Sequence, residues 1–388
     1  MSRTKATFLP PVMEARRWLE GVDFSDRPLI NVSQAAPVDP PPQQLRQAIA
    51  DVALNVPDAH LYGPVLGLPA LKSELATQWS AAYQGSITAD QVGITSGCNQ
   101  AFSATISMLC DQDDEVILPI PYYFNHRMWL DMQGVKTVPL QTGPDMLPDP
   151  AYAGELITPR TRAIALVTPN NPCGVEYPAE LVRAFYNLCQ DRGIALILDE
   201  TYRDFDSRTG APHDLFADPN WADTLIHLYS FSKAYRLTGH RVGAMVSSVA
   251  RLEEAEKFLD TVAICPNQIG QYAALWGMQN LGAWVSGERD EILDRRAAIA
   301  EGFPTLEQQG WKLRGLGAYF AYLEHPFAMD SDDLARELVK QAGILVLPGT
   351  MFTPDGDADG KRQIRIAFAN VDRAGITELF TRLAGLNL

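Results

Sequence analysis

Cysteine is scarce in this 388-residue chain, and its cysteines follow no pattern that binds a metal or builds a disulfide framework. The five are Cys98, Cys110, Cys173, Cys189 and Cys265. No two of them form a Cys-x-x-Cys pair, and their spacing is irregular. The sequence therefore predicts neither a zinc site nor a disulfide scaffold, and we expect no metal in the functional site and a reducing compartment.

Long apolar runs and an excess of positive charge are also missing. No window approaches the roughly 18 uncharged apolar residues of a membrane-spanning helix. Residues 1–18 lack the continuous apolar stretch of an export signal. The chain has 32 Lys and Arg against 47 Asp and Glu, which gives a formal net charge of −15. This charge disfavours nucleic acid and anionic membranes as partners, so we expect a cytoplasmic protein that binds neither.

The length and the apolar content, 46% of the residues, predict two domains with a sizeable core. Residues 1–47, with four prolines between positions 37 and 42, are predicted to form an N-terminal arm and part of a smaller domain. Residues 48–282 are predicted to form a large domain. Residues 283–388 are predicted to form the rest of the small domain, with a final helix that begins at Asp372.

Seven short runs rich in Val, Ile and Leu lie between residues 91 and 248. Most of them lack polar alternation, which is typical of strands that are covered on both faces of a mostly parallel sheet. Helical patterns separate several of these runs, for example at 99–109 and 178–192. The predicted fold class is therefore α/β, and the flanking segments predict a smaller α+β domain.

A lysine follows one of these runs in a chemically suggestive context. Segment 230–233 (SFSK) comes directly after the apolar run TLIHLY and is followed by 239–243 (GHRVG). A lysine at a strand end among small hydroxyl residues can be desolvated, which lowers its pKa and makes it a nucleophile for a Schiff base. Lys233 is thus a candidate catalyst, with Arg241 and the two serines as candidate phosphate ligands. An isolated segment of this kind is more often a surface loop.

Three other strand ends carry polar groups. The apolar run at 195–199 ends in Asp199, and Tyr202 follows it; such an acid can keep a pyridine nitrogen protonated. Loop 168–174 (TPNNPCG) presents an asparagine amide. Turn 95–99 (TSGCN) opens a helix, where free N–H groups suit a phosphate. Each of these segments alone would equally be an ordinary cap or turn.

Taken together and in their order along the chain, the four segments resemble the class I/II aminotransferases, which are fold type I enzymes that use pyridoxal 5′-phosphate (PLP). The resemblance runs over most of the chain. It implies a large domain with a mostly parallel seven-stranded sheet covered by helices, and a smaller α+β domain. It also implies a homodimer with active sites shared between the two subunits.

The resemblance assigns roles to individual residues. It implies that Lys233, Asp199 and Tyr202 are catalytic and that Arg365, Ala35 and Asn171 contact the substrate, with Arg365 binding its α-carboxylate. The residues that it implies for cofactor binding are Gly97, Cys98, Asn99, Tyr123, Asn171, Asp199, Tyr202, Ser230, Ser232, Lys233, Arg241 and, reaching the opposite subunit, Tyr62.

Two positions depart from the family pattern, and two others lie close to predicted site residues. Ala35 stands where the family usually has glycine, and Cys173 where threonine is commoner, so both are expected to affect the substrate pocket. His126 is expected either to support Asp199 as a hydrogen-bond donor or to be a structural core histidine. Arg362, near Arg365, is expected to be a solvated charge.

The predicted function is PLP-dependent transamination between an L-amino acid and a 2-oxo acid by a ping-pong mechanism. A PLP-dependent carbon–sulfur β-lyase is the first alternative, because the same scaffold would eliminate a leaving group at Cβ. A non-catalytic PLP-fold binding protein is the second, and the net charge of −15 speaks against its DNA-binding form. No GxGxxG follows a strand, which argues against a nicotinamide-linked dehydrogenase. The sequence leaves the side chain of the substrate open.

Overall fold

The computed structural model describes residues 2–386 and 388. The strands are β1 (Ile30–Asn31), β2 (Val92–Thr95), β3 (Glu115–Ile120), β4 (Lys136–Gln141), β5 (Thr161–Val167), β6 (Ala195–Asp199), β7 (Leu225–Ser230), β8 (Gly243–Val246), β9 (Lys312–Gly317), β10 (Phe320–Glu324), β11 (Ile344–Leu345), β12 (Leu347–Pro348) and β13 (Gln363–Ala367). The α-helices are α1 (Pro11–Arg17), α2 (Gln43–Asn55), α3 (Pro69–Ala82), α4 (Cys98–Leu109), α5 (Phe124–Gln133), α6 (Pro150–Leu156), α7 (Ala179–Arg192), α8 (Trp221–Thr224), α9 (Phe231–Ala234), α10 (Val249–Ala263), α11 (Gln268–Asn280), α12 (Gly282–Gly302), α13 (Pro304–Glu307), α14 (Ser331–Glu337) and α15 (Arg373–Ala384).

The seven apolar runs all form strands of one sheet, whose order within the described residues is β2-β8-β7-β6-β5-β3-β4. Its neighbouring strands are parallel except at β8, which runs antiparallel to both β2 and β7. Parallel neighbours need crossover connections, which helices such as α5 and α7 provide. The α/β class and the mostly parallel seven-stranded sheet are confirmed.

The lack of polar alternation in these strands has a direct cause in the packing. On β5, Ile164 and Leu166 pack in the same cluster as Phe185 of helix α7. Ala163 and Ala165 belong to a cluster on the other face, together with residues of α4. Each fully buried large apolar side chain contributes about 1.5–3 kcal/mol, so both faces of the strand must be apolar.

A second, antiparallel sheet with the order β12-β13-β10-β9 forms near the C-terminus. It shares an apolar cluster with helices α12 and α15. Helix α15 begins as predicted, since the Asp372 side chain accepts a hydrogen bond from the Gly375 N–H at 2.8 Å. Strand β1 pairs with β11, which attaches the N-terminal segment to this part of the chain. The division of the chain at residues 47 and 282 stays a prediction.

The loop after β5 packs tightly against the second sheet. Gly174 in this loop has φ +77°, and a Cβ atom there would lie 2.5 Å from the Phe320 carbonyl oxygen and 2.6 Å from the Gly317 nitrogen. Only glycine fits both the backbone conformation and the space. The contact therefore fixes the asparagine-bearing loop against strands β9 and β10.

We predict that Gly174→Ala destabilises the protein by about 3 kcal/mol or more, because a left-handed conformation is combined with overpacking. Gly193→Ala is the matched control, since Gly193 has φ +65° but, apart from its chain neighbours, no described residue has an atom within 4 Å of the position that a Cβ would take. It should cost only about 1 kcal/mol. Urea unfolding measures both changes, and equal losses would contradict the packing argument.

Candidate active site

A cavity of about 300 Å³ lies where the carboxyl ends of β5, β6 and β7 meet the start of α4. Its size is at the lower end for small-molecule sites. The side chains that line it come from both ends of the chain. They are Gln34, Ala36, Cys98, Asn99, Tyr123, Asn125, Val167, Asn171, Asp199, Thr201, Tyr202, Ser230, Ser232, Lys233, Thr238 and Arg241.

Lys233 lies in the short helix α9 directly after β7. The Ser230 side chain caps this helix by accepting a hydrogen bond from the Ser232 N–H at 3.2 Å. The Lys233 Nζ donates to the Ala35 carbonyl oxygen at 2.5 Å. Burial lowers the pKa of Lys233 to about 8, and the positive charges of Arg241 and Arg365 act in the same direction. At pH 7 about a tenth of this amine is uncharged and nucleophilic, far more than for an ordinary lysine.

Asp199 ends strand β6 and is 4% exposed. Its Oδ1 accepts a hydrogen bond from the Thr201 N–H at 2.9 Å, and its Oδ2 lies 3.4 Å from the His126 Nε2. His126 is itself fixed by stacking on Phe102 at 3.8 Å. Burial alone would raise the pKa of Asp199, but the contacts with His126 and Thr201 outweigh burial and lower it. The carboxylate is therefore ionised. His126 lies beside it, as expected if this histidine supports Asp199 as a hydrogen-bond donor.

One end of the cavity is built to hold an oxyanion. Helix α4 begins there at Cys98, after Gly97 with φ +86°, and its first N–H groups are free. The Arg241 Nη1 lies 3.5 Å from the Ser232 Oγ. A Cβ atom on Gly97 would collide with the Arg241 guanidinium. Glycine thus lets a guanidinium, a hydroxyl and a helix N-terminus converge.

Arg365, in the middle of β13, is only 2% exposed. Its Nη1 donates to the Asn171 Oδ1 at 2.9 Å, and its Nη2 donates to the Ser33 carbonyl oxygen. Burial lowers its pKa to about 10. Among the described residues no carboxylate pairs with Arg365, and its Nε has no partner. A buried guanidinium whose described partners are all neutral is suited to pair with a carboxylate.

The structure brings most of the predicted residues together. Ten of them line the cavity, while Gly97, Ala35 and Arg365 contact residues that line it. Tyr202 is buried, with its ring centre 5.7 Å from the Lys233 Nζ. Tyr62 does not line the cavity of its own chain and is 80% exposed.

Two expectations about neighbouring residues are wrong. Cys173 does not line the cavity; it is buried against Met146 and Tyr322, because the loop turns its side chain away. Arg362 is half-buried rather than solvated, and its guanidinium donates to the carbonyl oxygens of His325 (2.8 Å) and Phe327. The Ala35 backbone does approach Lys233, and its φ is not positive, so glycine is not required there.

Some lining residues were missed by the sequence reasoning. These are Gln34, Ala36, Asn125, Val167, Thr201 and Thr238. Four of them, Gln34, Ala36, Asn125 and Thr201, had a usable signal, because each lies within two residues of a predicted one.

Comparisons with known proteins agree with this geometry. The sequence profile of the family "Aminotransferase class I and II" matches residues 27–383. The chain is similar to Aromatic aminotransferase ISS1 of Arabidopsis thaliana, with 28% identity over 90% of this chain and 86% of that protein. It is also similar to the aspartate/prephenate aminotransferase of Thermus thermophilus, with 27% identity over 84% of this chain and 83% of that protein. The solved structure of the Thermus thermophilus aspartate aminotransferase with maleate superposes with a TM-score of 0.87 at 25% identity, covering 98% of each chain.

The fold and the cavity thus define a PLP-dependent transferase. The chain belongs to the class I and II aminotransferase family, and it is a PLP-dependent aminotransferase. The residues present fit this cofactor. Asp199 offers a carboxylate for a protonated ring nitrogen, Lys233 an amine for the aldehyde, and the Gly97–Arg241 end a cradle for the phosphate.

The lowered pKa of Lys233 gives a pH-dependent prediction. In the cofactor-free protein, the rate at which acetic anhydride labels Lys233 should rise with pH with a midpoint near 8, because only the neutral amine reacts. Mass spectrometry of the peptide containing Lys233 measures this rate. A midpoint at the ordinary lysine value of 10.5 would contradict the burial argument.

Proposed function

We propose that this cavity carries out transamination in two half-reactions, with an L-amino acid as donor and a 2-oxo acid as acceptor. The observation that carries the proposal is the relation between Arg365 and Lys233. Arg365 donates to the carbonyl oxygen of Ser33, and Lys233 to that of Ala35, two residues further on. The guanidinium and the amine thus contact the backbone of one short segment at neighbouring points. This spacing suits an α-amino acid, whose carboxylate and amino group are attached to the same carbon.

When bound, PLP supplies an electron sink for the electron pair released as a bond at the substrate Cα breaks. In this proposal, the neutral Nζ of Lys233 removes the proton from the substrate Cα as a general base. Asp199 holds a proton on the ring nitrogen, since its ionised carboxylate is fixed by His126 and Thr201. Asn171 and Tyr202 are proposed to contact the ring hydroxyl. Arg365 orients the substrate through its carboxylate.

Arg241, Ser230, Ser232 and the start of helix α4 are proposed to bind the phosphate. The support is the convergence of a guanidinium, hydroxyls and free N–H groups at one end of the cavity. Tyr123 is proposed to stack on the cofactor ring, since it lines the same cavity. These roles leave Gln34, Asn125 and the rim of the cavity for the substrate side chain.

The role of Arg365 is tested by Arg365→Lys. A point charge cannot make two parallel hydrogen bonds to a carboxylate, so kcat/KM for every amino acid should fall by about 10- to 100-fold. Stopped-flow absorbance of the cofactor measures the half-reaction with a panel of amino acids. The control is Arg362→Lys, whose guanidinium bonds backbone carbonyls away from the cavity. A loss confined to one amino acid would instead place Arg365 at the substrate side chain.

For the substrates, we propose one dicarboxylic and one neutral, aromatic amino acid. The relatives support this choice, since one is named an aromatic aminotransferase and another an aspartate/prephenate aminotransferase. The cavity supports it as well, because the side chains that the cofactor roles leave over, Gln34 and Asn125, are neutral. A cavity wall of neutral polar side chains accommodates an aromatic side chain better than a wall of charged side chains would.

We further propose a homodimer in which Tyr62 contacts the cofactor of the opposite subunit. Tyr62 is 80% exposed, and exposed apolar side chains surround it in sequence and in space. Leu61 is 62% exposed, and the Gly63 N–H lies 3.4 Å from the Cys265 Sγ, next to Ile264 at 43% exposure. Several exposed apolar side chains close to one another are typical of a subunit interface.

The shared site is tested by mixing two inactive variants, Lys233→Ala and Tyr62→Ala. A two-fold interface makes the contact reciprocal, so the hybrid dimer contains one site with both residues intact. Activity recovered on mixing, up to about a quarter of the wild-type value for random exchange of equal amounts, is the expected result. A monomer in sedimentation that retains full activity would contradict the proposal.

A cytoplasmic location is also proposed. The five cysteines are all free in the structure, as expected for a reducing compartment. No helix in the described part of the chain is both long and apolar enough to cross a membrane.

A further inference from the structure

A second cavity, of about 480 Å³, lies at the opposite end of the large sheet from the catalytic cavity. Its lining includes Thr161 and Ala195, the first residues of the parallel strands β5 and β6. The carboxyl ends of the same two strands face the catalytic cavity, to which Val167 and Asp199 belong. The two cavities share no lining residue, so the second one is separate from the groups that serve the proposed reaction.

Three arginines from three different elements line this second cavity. They are Arg162 of β5, Arg192 of α7 and Arg251 of α10. Its described lining contains no Asp or Glu, and the nearby Glu115 is turned to Thr158, whose Oγ1 donates to the Glu115 Oε2 at 2.5 Å. The positive charges gather here although the whole chain has a formal net charge of −15. A cleft lined by charge of one sign concentrates ions of the opposite sign, so this lining favours an anionic ligand.

Arg251 is half-buried, and its hydrogen-bond partners among the described residues are all neutral. Its Nη1 donates to the Ala222 carbonyl oxygen at 3.2 Å, and its Nη2 donates to the Asp223 carbonyl oxygen at 2.7 Å. Burial lowers the pKa of Arg251, although the negative charge of Asp223 acts in the opposite direction. A partly desolvated guanidinium that hydrogen-bonds only to carbonyl oxygens is suited to pair with an anion.

The other two arginines also have nitrogens available for a ligand. Arg162 uses its Nε for Asp114, whose Oδ2 lies at 2.9 Å, and no hydrogen bond of its terminal nitrogens is found among the described residues. Arg192 is exposed in the last turn of α7. A cation at the end of a helix is favourable in itself, so Arg192 alone would not indicate a ligand. Arg162 and Arg251 belong to other elements, and the convergence of all three on one cavity is what indicates an anion.

The remaining wall of the cavity is largely apolar. It is formed by the side chains of Leu109, Ile157, Pro159 and Ile194. Guanidinium groups bind phosphate oxygens through paired hydrogen bonds, and an apolar wall gains free energy by burying an apolar group. The volume is within the ordinary range of small-molecule sites. The lining thus suits a ligand that joins a phosphate to an apolar body.

We propose that this cavity, here called the arginine cavity, binds a phosphate monoester with an apolar body. Arg162, Arg192 and Arg251 contact the phosphate, and the wall around Ile157 contacts the body of the ligand. The inference goes beyond the proposed transamination and does not depend on it, because no residue lines both cavities.

Calorimetry of the PLP-loaded protein with phenyl phosphate tests the proposal. Arg192→Gln should weaken binding about 10-fold, the effect of losing one charge-assisted hydrogen bond. The matched control is Arg183→Gln, which removes one positive charge from the same helix, where Arg183 pairs with Asp214 at 2.6 Å. The control should bind within about 2-fold of the wild type. Failure of the wild type to bind phenyl phosphate, unchanged affinity in Arg192→Gln, or equal weakening in both variants would overturn the proposal.

A further variant shows which cavity holds the probe. Arg365→Lys changes the cation that is proposed to bind carboxylates in the catalytic cavity, and it leaves the arginine cavity as it is. Phenyl phosphate should therefore bind this variant within about 2-fold of the wild type. A loss in Arg365→Lys that matches or exceeds the loss in Arg192→Gln would place the probe in the catalytic cavity and refute the new site.

The apolar part of the proposal is tested with glycerol 3-phosphate, which carries the same phosphate monoester on a polar body. It should bind the wild type at least about 5-fold more weakly than phenyl phosphate, because it buries less apolar surface. Ile157→Ala should weaken binding of phenyl phosphate about 4-fold, the effect of one methylene group taken out of contact, and should change glycerol 3-phosphate less. Equal affinity of the wild type for the two probes would contradict a ligand with an apolar body.

Discussion

Charged side chains from both sheets are buried around one cavity, and the cost of burying them shapes the surrounding structure. An isolated ion inside a protein costs several kcal/mol, so each buried charge needs a partner. Asp199 has His126 and the Thr201 N–H. Lys233 and Arg365, in contrast, have only neutral acceptors among the residues that the structure describes. The unbalanced positive charge is the feature that makes the cavity a site for anionic ligands rather than a piece of core.

The residue after Asp199 shows how a buried charge is satisfied when no ligand is involved. Glu200 points away from the cavity and accepts hydrogen bonds from the Tyr83 hydroxyl and from the His227 Nε2, the latter at 2.9 Å. His213 lies 3.6 Å away. Burial would raise the pKa of Glu200, but the two histidines lower it well below its ordinary value. These hydrogen bonds fix the end of β6 on the side away from the cavity. Asp199, in contrast, lines the cavity, where a ligand can reach it.

The sequence predicts local features of this protein well, for physical reasons. Strands covered on both faces must be apolar throughout, so β5 and β6 are evident as runs without polar alternation. A parallel sheet places strand ends at one edge, which brings Asp199 and Lys233 together. Contacts between distant segments leave no such periodic signal. Arg16, for example, donates a hydrogen bond to Gln34 from a different segment, helix α1. The direction of the Cys173 side chain likewise depends on how its loop packs against the second sheet.

An enzyme that binds two different substrates in one cavity must avoid leaving a charged group of the cavity wall or of the substrate without a partner, because that costs binding energy. A fixed buried cation would reject a neutral side chain, because the cation would stay desolvated without a partner. A wholly neutral wall would instead give a second carboxylate nothing to replace its water. In the described lining the side chains of Gln34 and Asn125 are neutral, so the wall avoids the first of these costs and an uncharged side chain can bind there without leaving a cation desolvated.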